Sequence, residues 1–191
     1  MGVTLESMAI EIPAVKGHPN REGFRGVLTT VDVPSDRPPA GARGHRVLLT
    51  RRAAEAAIPS LLGMGLDYAP ALDRHDVRRK VGVITRAEIV GRGIEVGGFL
   101  YARDFPEIVE EIGRNGEGAC TRSHVIRKFA GHKRAGMPVP HGLGMSYEIA
   151  DAQIEDLKAG VWVLNQVTFT GAAILRRDKA AYRGTWIELD R

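Results

Sequence analysis

The chain has 191 residues, enough for one compact domain, and its 43% hydrophobic and 26% charged residues are the balance of a globular protein, not a disordered one. A net charge of +4 and a pI near 9.5 fall short of a nucleic-acid coat, and the basic residues are scattered with few aromatics between them, so no specific nucleic-acid partner is expected. No apolar run is long enough to span a membrane, and the single cysteine, Cys120, excludes an intramolecular disulfide and a multi-cysteine metal site.

Residues 1–45 read as short strands and a flexible connection, belonging to the same domain as the rest or loosely attached to it; residues 46–191 form the main domain. Leu5–Ile12 and Gly23–Val33 have strand-like spacing, and the Pro- and Gly-rich stretch 34–44 is a flexible connection or a long surface loop. Arg46–Leu49 is a short strand. Thr50 caps a helix over Arg51–Leu62, which Pro59 should kink or end. Leu66–Lys80 is polar and irregular. Val81–Ile89 and Gly93–Tyr101 alternate around Gly91-Arg92 as an antiparallel hairpin. Asp104 caps a second helix with Phe105, Ile108, Val109 and Ile112 on one face, after which Gly113–Gly142 has little periodicity. Leu143–Ala150, Val161–Leu175 (with Gly171 as a bulge or bend) and Thr185–Leu189 complete the strands. Many short, mostly antiparallel strands with two helices argue for a β-rich barrel or sandwich. Neither a P-loop nor a dinucleotide fingerprint is present.

A serine enzyme needs a base within hydrogen-bond reach of its hydroxyl. Of six histidines, His18 and His45 flank the N-terminal loop as exposed turn residues, while His124, His132 and His141 lie in the irregular 113–142 segment, where a Cys120–His124 pair is a remote option. His75 stands just before the hairpin, in Asp73-Arg74-His75-Asp76, where the sheet can fix it and either aspartate can orient its ring. A metal site on His75 and Asp76 lacks any spaced partner motif. Ser146 lies in a strand where alternation puts it beside Glu148 on one face, opposite Met145, Tyr147 and Ile149.

Two blocks resemble the prohead (capsid-maturation) serine proteases of tailed bacteriophages. Leu72–Ala102 is similar to the part where a histidine ends a loop before a strand pair. Gly142–Leu175 is similar to a Gly-x-Ser strand, here Gly144-Met145-Ser146-Tyr147, followed by a long strand with a Thr-Gly-Ala-x-Ile-Leu type ending. The resemblance implies a β-rich α+β fold, an antiparallel β-barrel with a few surrounding helices like the herpesvirus assemblin protease. It implies a serine endopeptidase with Ser146 as nucleophile and His75 as general base, needing no cofactor or metal. The position best aligned with the family's third residue is Gln166, which cannot stabilise an imidazolium as an anion does. Asp73, Asp76, Glu148 and Asp151 are unranked substitutes, and Arg176-Arg177 loosely resembles the family's oxyanion arginines. The implied partners are phage scaffold and major capsid proteins as substrates and further copies of the chain, with no membrane, inside the prohead in the bacterial host cytoplasm. The alternatives are a catalytically weakened capsid-assembly module of the same fold, or a basic nucleic-acid-binding module.

Overall fold

The computed structural model describes residues 7–13, 17–123 and 142–190. Its strands are β1 (Ser7–Ala9), β2 (Glu22–Thr30), β3 (Arg46–Leu49), β4 (Gly65–Asp67), β5 (Lys80–Val90), β6 (Gly93–Leu100), β7 (Leu143–Ile154), β8 (Val161–Arg176) and β9 (Trp186–Leu189). Two helices accompany them, α1 (Arg51–Ala57) and α2 (Pro106–Ser123). The nine strands form one curled sheet. It runs β7–β8, then β3 and β4 end to end on the far edge of β8, then β5, β6, β2 and β9, with β1 added to β5.

The sheet is mixed, which corrects the expected antiparallel barrel: most pairings are antiparallel, but β3 and β4 both run parallel to β8. The cause lies in the segment between them. Thr50 caps α1 by accepting the Ala53 N–H, at 3.2 Å. Pro59, lacking a donor, then tightens the chain into a 3₁₀ turn at Ile58–Leu61. This helical excursion leaves the edge of β8 at Leu164 and returns to it at Ala172, so both flanking strands keep one direction. It also satisfies the stretch of β8 it bypasses: Thr50 N–H donates to the Leu164 carbonyl and Phe169 N–H donates to Ser60 Oγ.

The β5–β6 hairpin turns on Gly91 at φ +59°, with Arg92 in the ordinary region; glycine at the first turn position matches the twist of the strands. The core lies on the concave side, around Phe24, Leu28, Leu66, Ile84, Leu100 and Phe169, all fully or almost fully buried. Ile108 and Ile112 bury the apolar face of α2, while the Asp104 carboxylate accepts a hydrogen bond from the Asn20 amide at 2.7 Å. Helix α2 continues through Gly113 to Ser123, past the point where the sequence reads as irregular; residues 124–141 lie outside the described residues. Segment 34–44 is a surface loop tied down by Ser35 and Asp36, whose amides donate to the Val47 and Ala181 carbonyls.

Among the described residues no ladder joins β7 to β9 or β2, so the sheet is a half-barrel and not a closed one. The gap is spanned near its end by the Met145 N–H, which donates to Thr185 Oγ1 at 3.2 Å. Gly144 is required there, because a Cβ would lie 2.7 Å from that same hydroxyl.

Candidate active site

Strand pairing fixes the site before any side chain is considered. On β8, Ala173 is the partner of Asp67 of β4 on one side and of Ser146 of β7 on the other. Asp67 in turn pairs with Lys80 of β5. Partners across a ladder share a face, so Lys80, Asp67, Ala173 and Ser146 form one row across four strands. Ala173 is fully buried and small, leaving the space above β8 free for a ring.

His75 fills that space from the loop between β4 and β5. Its Nε2 lies 3.1 Å from Ser146 Oγ, and its Nδ1 lies 3.6 Å from Asp67 Oδ1 and 3.9 Å from Glu148 Oε1. A ring reaching strand β4 on one side and β7 on the other lies over the intervening Ala173. Nε2 can take a proton from Ser146 only in the tautomer whose hydrogen sits on Nδ1, the nitrogen facing the two carboxylates. Nδ1 is buried with no hydrogen-bond partner among the described residues, so Asp67 acts on it here by charge at slightly more than hydrogen-bond length.

Three anchors hold the loop. The Leu72 carbonyl accepts the Arg176 N–H from β8 at 2.7 Å, and the Leu72 N–H donates to Ala69. The Asp76 N–H donates to Asp67 Oδ1 at 3.1 Å. Leu72 itself sits at φ +52°, a left-handed conformation costing of order 1 kcal/mol that the anchors impose on the residue three before His75.

Asp67 is fully buried, and Lys80 Nζ reaches its Oδ2 at 2.9 Å. Burial on its own would raise the carboxyl's pKa; the His75 ring, the Lys80 ammonium and the Asp76 N–H outweigh it and hold the carboxyl below its ordinary range. It is therefore an anion wherever an imidazole is neutral. Glu148 is half-exposed and lies against Gly171, where a Cβ would be 2.8 Å from its Oε2. The Thr-Gly-Ala-Ala stretch thus has a physical reading: Gly171 and Ala173 are the floor on which Glu148 and His75 rest. Thr170 is the extra residue of a bulge opposite Glu148–Ile149.

The chain matches no family model, no curated protein and no solved structure.

The sequence-derived candidates divide cleanly in space. Ser146 and His75 meet. Gln166 does not join them: it is exposed, paired with Gln153, and seven residues along β8 from Ala173, about 23 Å at the rise of a strand. The offset arises because β7 and β8 pair antiparallel, which carries residues beyond Glu148 toward Gln166 and away from His75. Asp73 and Asp151 are exposed, and Asp76 Oδ1 accepts the Arg78 N–H. Asp67, absent from the candidates, stands behind His75 Nδ1 in place of Gln166; its one sequence signal was an acid between apolar neighbours in Leu66-Asp67-Tyr68, since a charge in such a setting needs a partner.

Arg176 is exposed beside Asp178, and the Arg177 guanidinium donates to the Leu143 carbonyl at 3.4 Å, three ladder positions from Ser146. Burial pushes the Arg177 pKa down. His45, expected as an exposed turn residue, is half-buried and stacks on Trp162 with ring centroids 4.5 Å apart. His124, His132 and His141 lie outside the described residues, as do the side chain and any pairing of Cys120. No group of three metal-ligating side chains occurs among the described residues, and none of their helices is long and apolar enough to cross a membrane.

Proposed function

We propose that this chain is a serine endopeptidase of the prohead-maturation kind, cutting scaffold and capsid-protein segments during phage head assembly. The observation that carries the reading is the 3.1 Å approach of His75 Nε2 to Ser146 Oγ, with a buried carboxylate behind the opposite ring nitrogen. The resemblance of both sequence blocks supplies the substrate class and the setting inside the prohead.

In this reading Ser146 Oγ attacks the scissile carbonyl while its proton passes to His75 Nε2. The imidazolium so formed faces Asp67 and Glu148, whose charges stabilise it. The C–N bond then breaks as Nε2 returns the proton to the leaving amine. Water, deprotonated by the same nitrogen, hydrolyses the acyl-serine and restores the hydroxyl. The inactive-module alternative drew its support from a glutamine in the third position; with Gln166 remote and Asp67 present, that support falls away.

The test is coexpression with the neighbouring scaffold and major capsid proteins, comparing wild type with Ser146→Ala. Truncated products in the wild type alone are expected. Processing that persists in the variant excludes Ser146 as nucleophile, and no processing by either favours an assembly module.

A further inference from the structure

The gap in the half-barrel opens into a cavity of about 800 Å³ that Ser146 and His75 themselves line. That is the size of sites that enclose a drug-sized ligand, roughly 300–1,000 Å³, and too large for a single side chain. Its lining is mixed: Leu28, Val47, Met145, Ile149, Trp162 and Leu164 are apolar, all but Ile149 buried in the folded chain, while the exposed Asp73, Arg74, Glu148 and Lys179 add charged groups. The loop that carries Pro38, Pro39 and Ala40 lines it as well.

Strand β7 borders this cavity along its open edge. The Met145 N–H points away from β8, toward Thr185. In an antiparallel ladder the backbone groups alternate in direction, and no register shift separates Met145 from Tyr147. Tyr147, next to the nucleophile, therefore turns its N–H and C=O to the same open side. A peptide lying extended against that edge presents every second side chain to the cavity.

We infer that the cavity is the specificity site of the proposed peptidase, taking two or more large apolar side chains at alternating positions of an extended substrate next to the scissile bond. The inference rests on the peptidase reading and adds the substrate class to it. The buried part of the lining is apolar and offers little to a polar side chain, whereas each large apolar side chain inserted against it removes its surface from water. Regular alternation follows from the strand pose; a helical or turn substrate would not produce it.

A peptide library made by digesting a proteome, incubated with wild type and with Ser146→Ala, tests it through the sequences of the cleavage products. Cleavage dependent on Ser146 with Leu, Ile, Met, Phe or Tyr enriched at alternating positions is the expected result. Cleavage dependent on Ser146 without that pattern overturns the inference and leaves the peptidase intact; no cleavage at all overturns both. Two variants narrow the cavity from exposed lining positions, Ala152→Trp on β7 and Ala40→Trp on the loop. Each is expected to lower kcat/KM for the apolar peptides about ten-fold or more, the scale of pocket discrimination by size. Peptides with alanine at the same positions should lose less, so the ratio of the two rates is the readout. An equal loss on both peptide classes, or no loss on either, is evidence against the site.

Discussion

Asp67 carries the strictest demand of any side chain in the site. A buried carboxylate is costly unless charged and polar partners replace its water, and here Lys80, the Asp76 N–H and His75 do so. Asp67→Asn keeps the shape but removes the charge that stabilises an imidazolium, so kcat should fall about 10³-fold with little change in KM. Glu148→Gln, at a half-exposed group 3.9 Å from Nδ1, should cost less than about ten-fold, because solvent screens it. Gln166→Ala should cost nothing. Kinetics on any peptide that the wild type cleaves decide the order, and a larger effect at Gln166 than at Asp67 would reassign the third residue. The same carboxyl leaves a mark on acid stability. Its pKa is depressed in the folded chain, so its contribution is whole above the ordinary carboxylate range near pH 4 and fades as pH falls through the lower folded value. At this scale the sequence spoke unevenly. His75 and Ser146 were named because residues around them resemble a family, not because a histidine before a hairpin and a serine on a strand mean anything alone. Asp67 was passed over because its partners are Lys80, 13 residues on, and His75, both chosen by folding rather than by spacing.

Strand β8 acts as the bench on which the site is assembled. Its pairing with β4 on one edge and β7 on the other brings Asp67 and Ser146 within the span of one imidazole, and its small residues leave room for the ring. Ala173→Val should lift His75 off that floor: overpacking at a fully buried position costs about 1–3 kcal/mol, and activity should drop by about 100-fold through lost alignment. Ala173→Gly, which only enlarges the space, should cost about 1 kcal/mol or less and retain most activity. Thermal unfolding and rates measured on both variants separate the two effects; full activity in Ala173→Val would mean that the ring does not lie over β8. The elements with a strong local pattern were legible in the sequence: the β5–β6 hairpin from alternation around Gly91, α1 from its threonine cap, β8 from its long β-branched run. Strand β4 was not, since three residues cannot display alternation and its existence depends on β5 and β8 flanking it. Helix α2 outran its reading because Ile108 and Ile112, packed in the core, anchor its first turns strongly enough to carry glycines that cost about 1 kcal/mol each.

At the scale of the whole molecule, the sheet order interleaves the two ends of the chain. Strand β2, from the segment that the sequence sets apart as residues 1–45, lies between β6 and β9, with β9 close to the C-terminal end of the sequence. Its Phe24, Val27 and Leu28, together with Val31 just beyond, are buried, and Leu28 also lines the cavity beside Ser146. Removing these four side chains forfeits about 8 kcal/mol at roughly 2 kcal/mol each, a sum comparable to the entire stability of an ordinary domain, about 5–15 kcal/mol. It also strips the ladder partners from β9 and from the outer edge of β6, leaving two unpaired strand edges that invite aggregation. A chain begun at Arg46 is therefore expected to show no cooperative thermal transition by circular dichroism and to be recovered mainly as insoluble material. Supplying residues 1–45 as a separate segment should restore some folding, because β2 docks through backbone pairing along both of its edges. A soluble 46–191 fragment with a sharp transition and Ser146-dependent peptide cleavage would mean that the N-terminal strands are an addition to the folded unit and not a part of it.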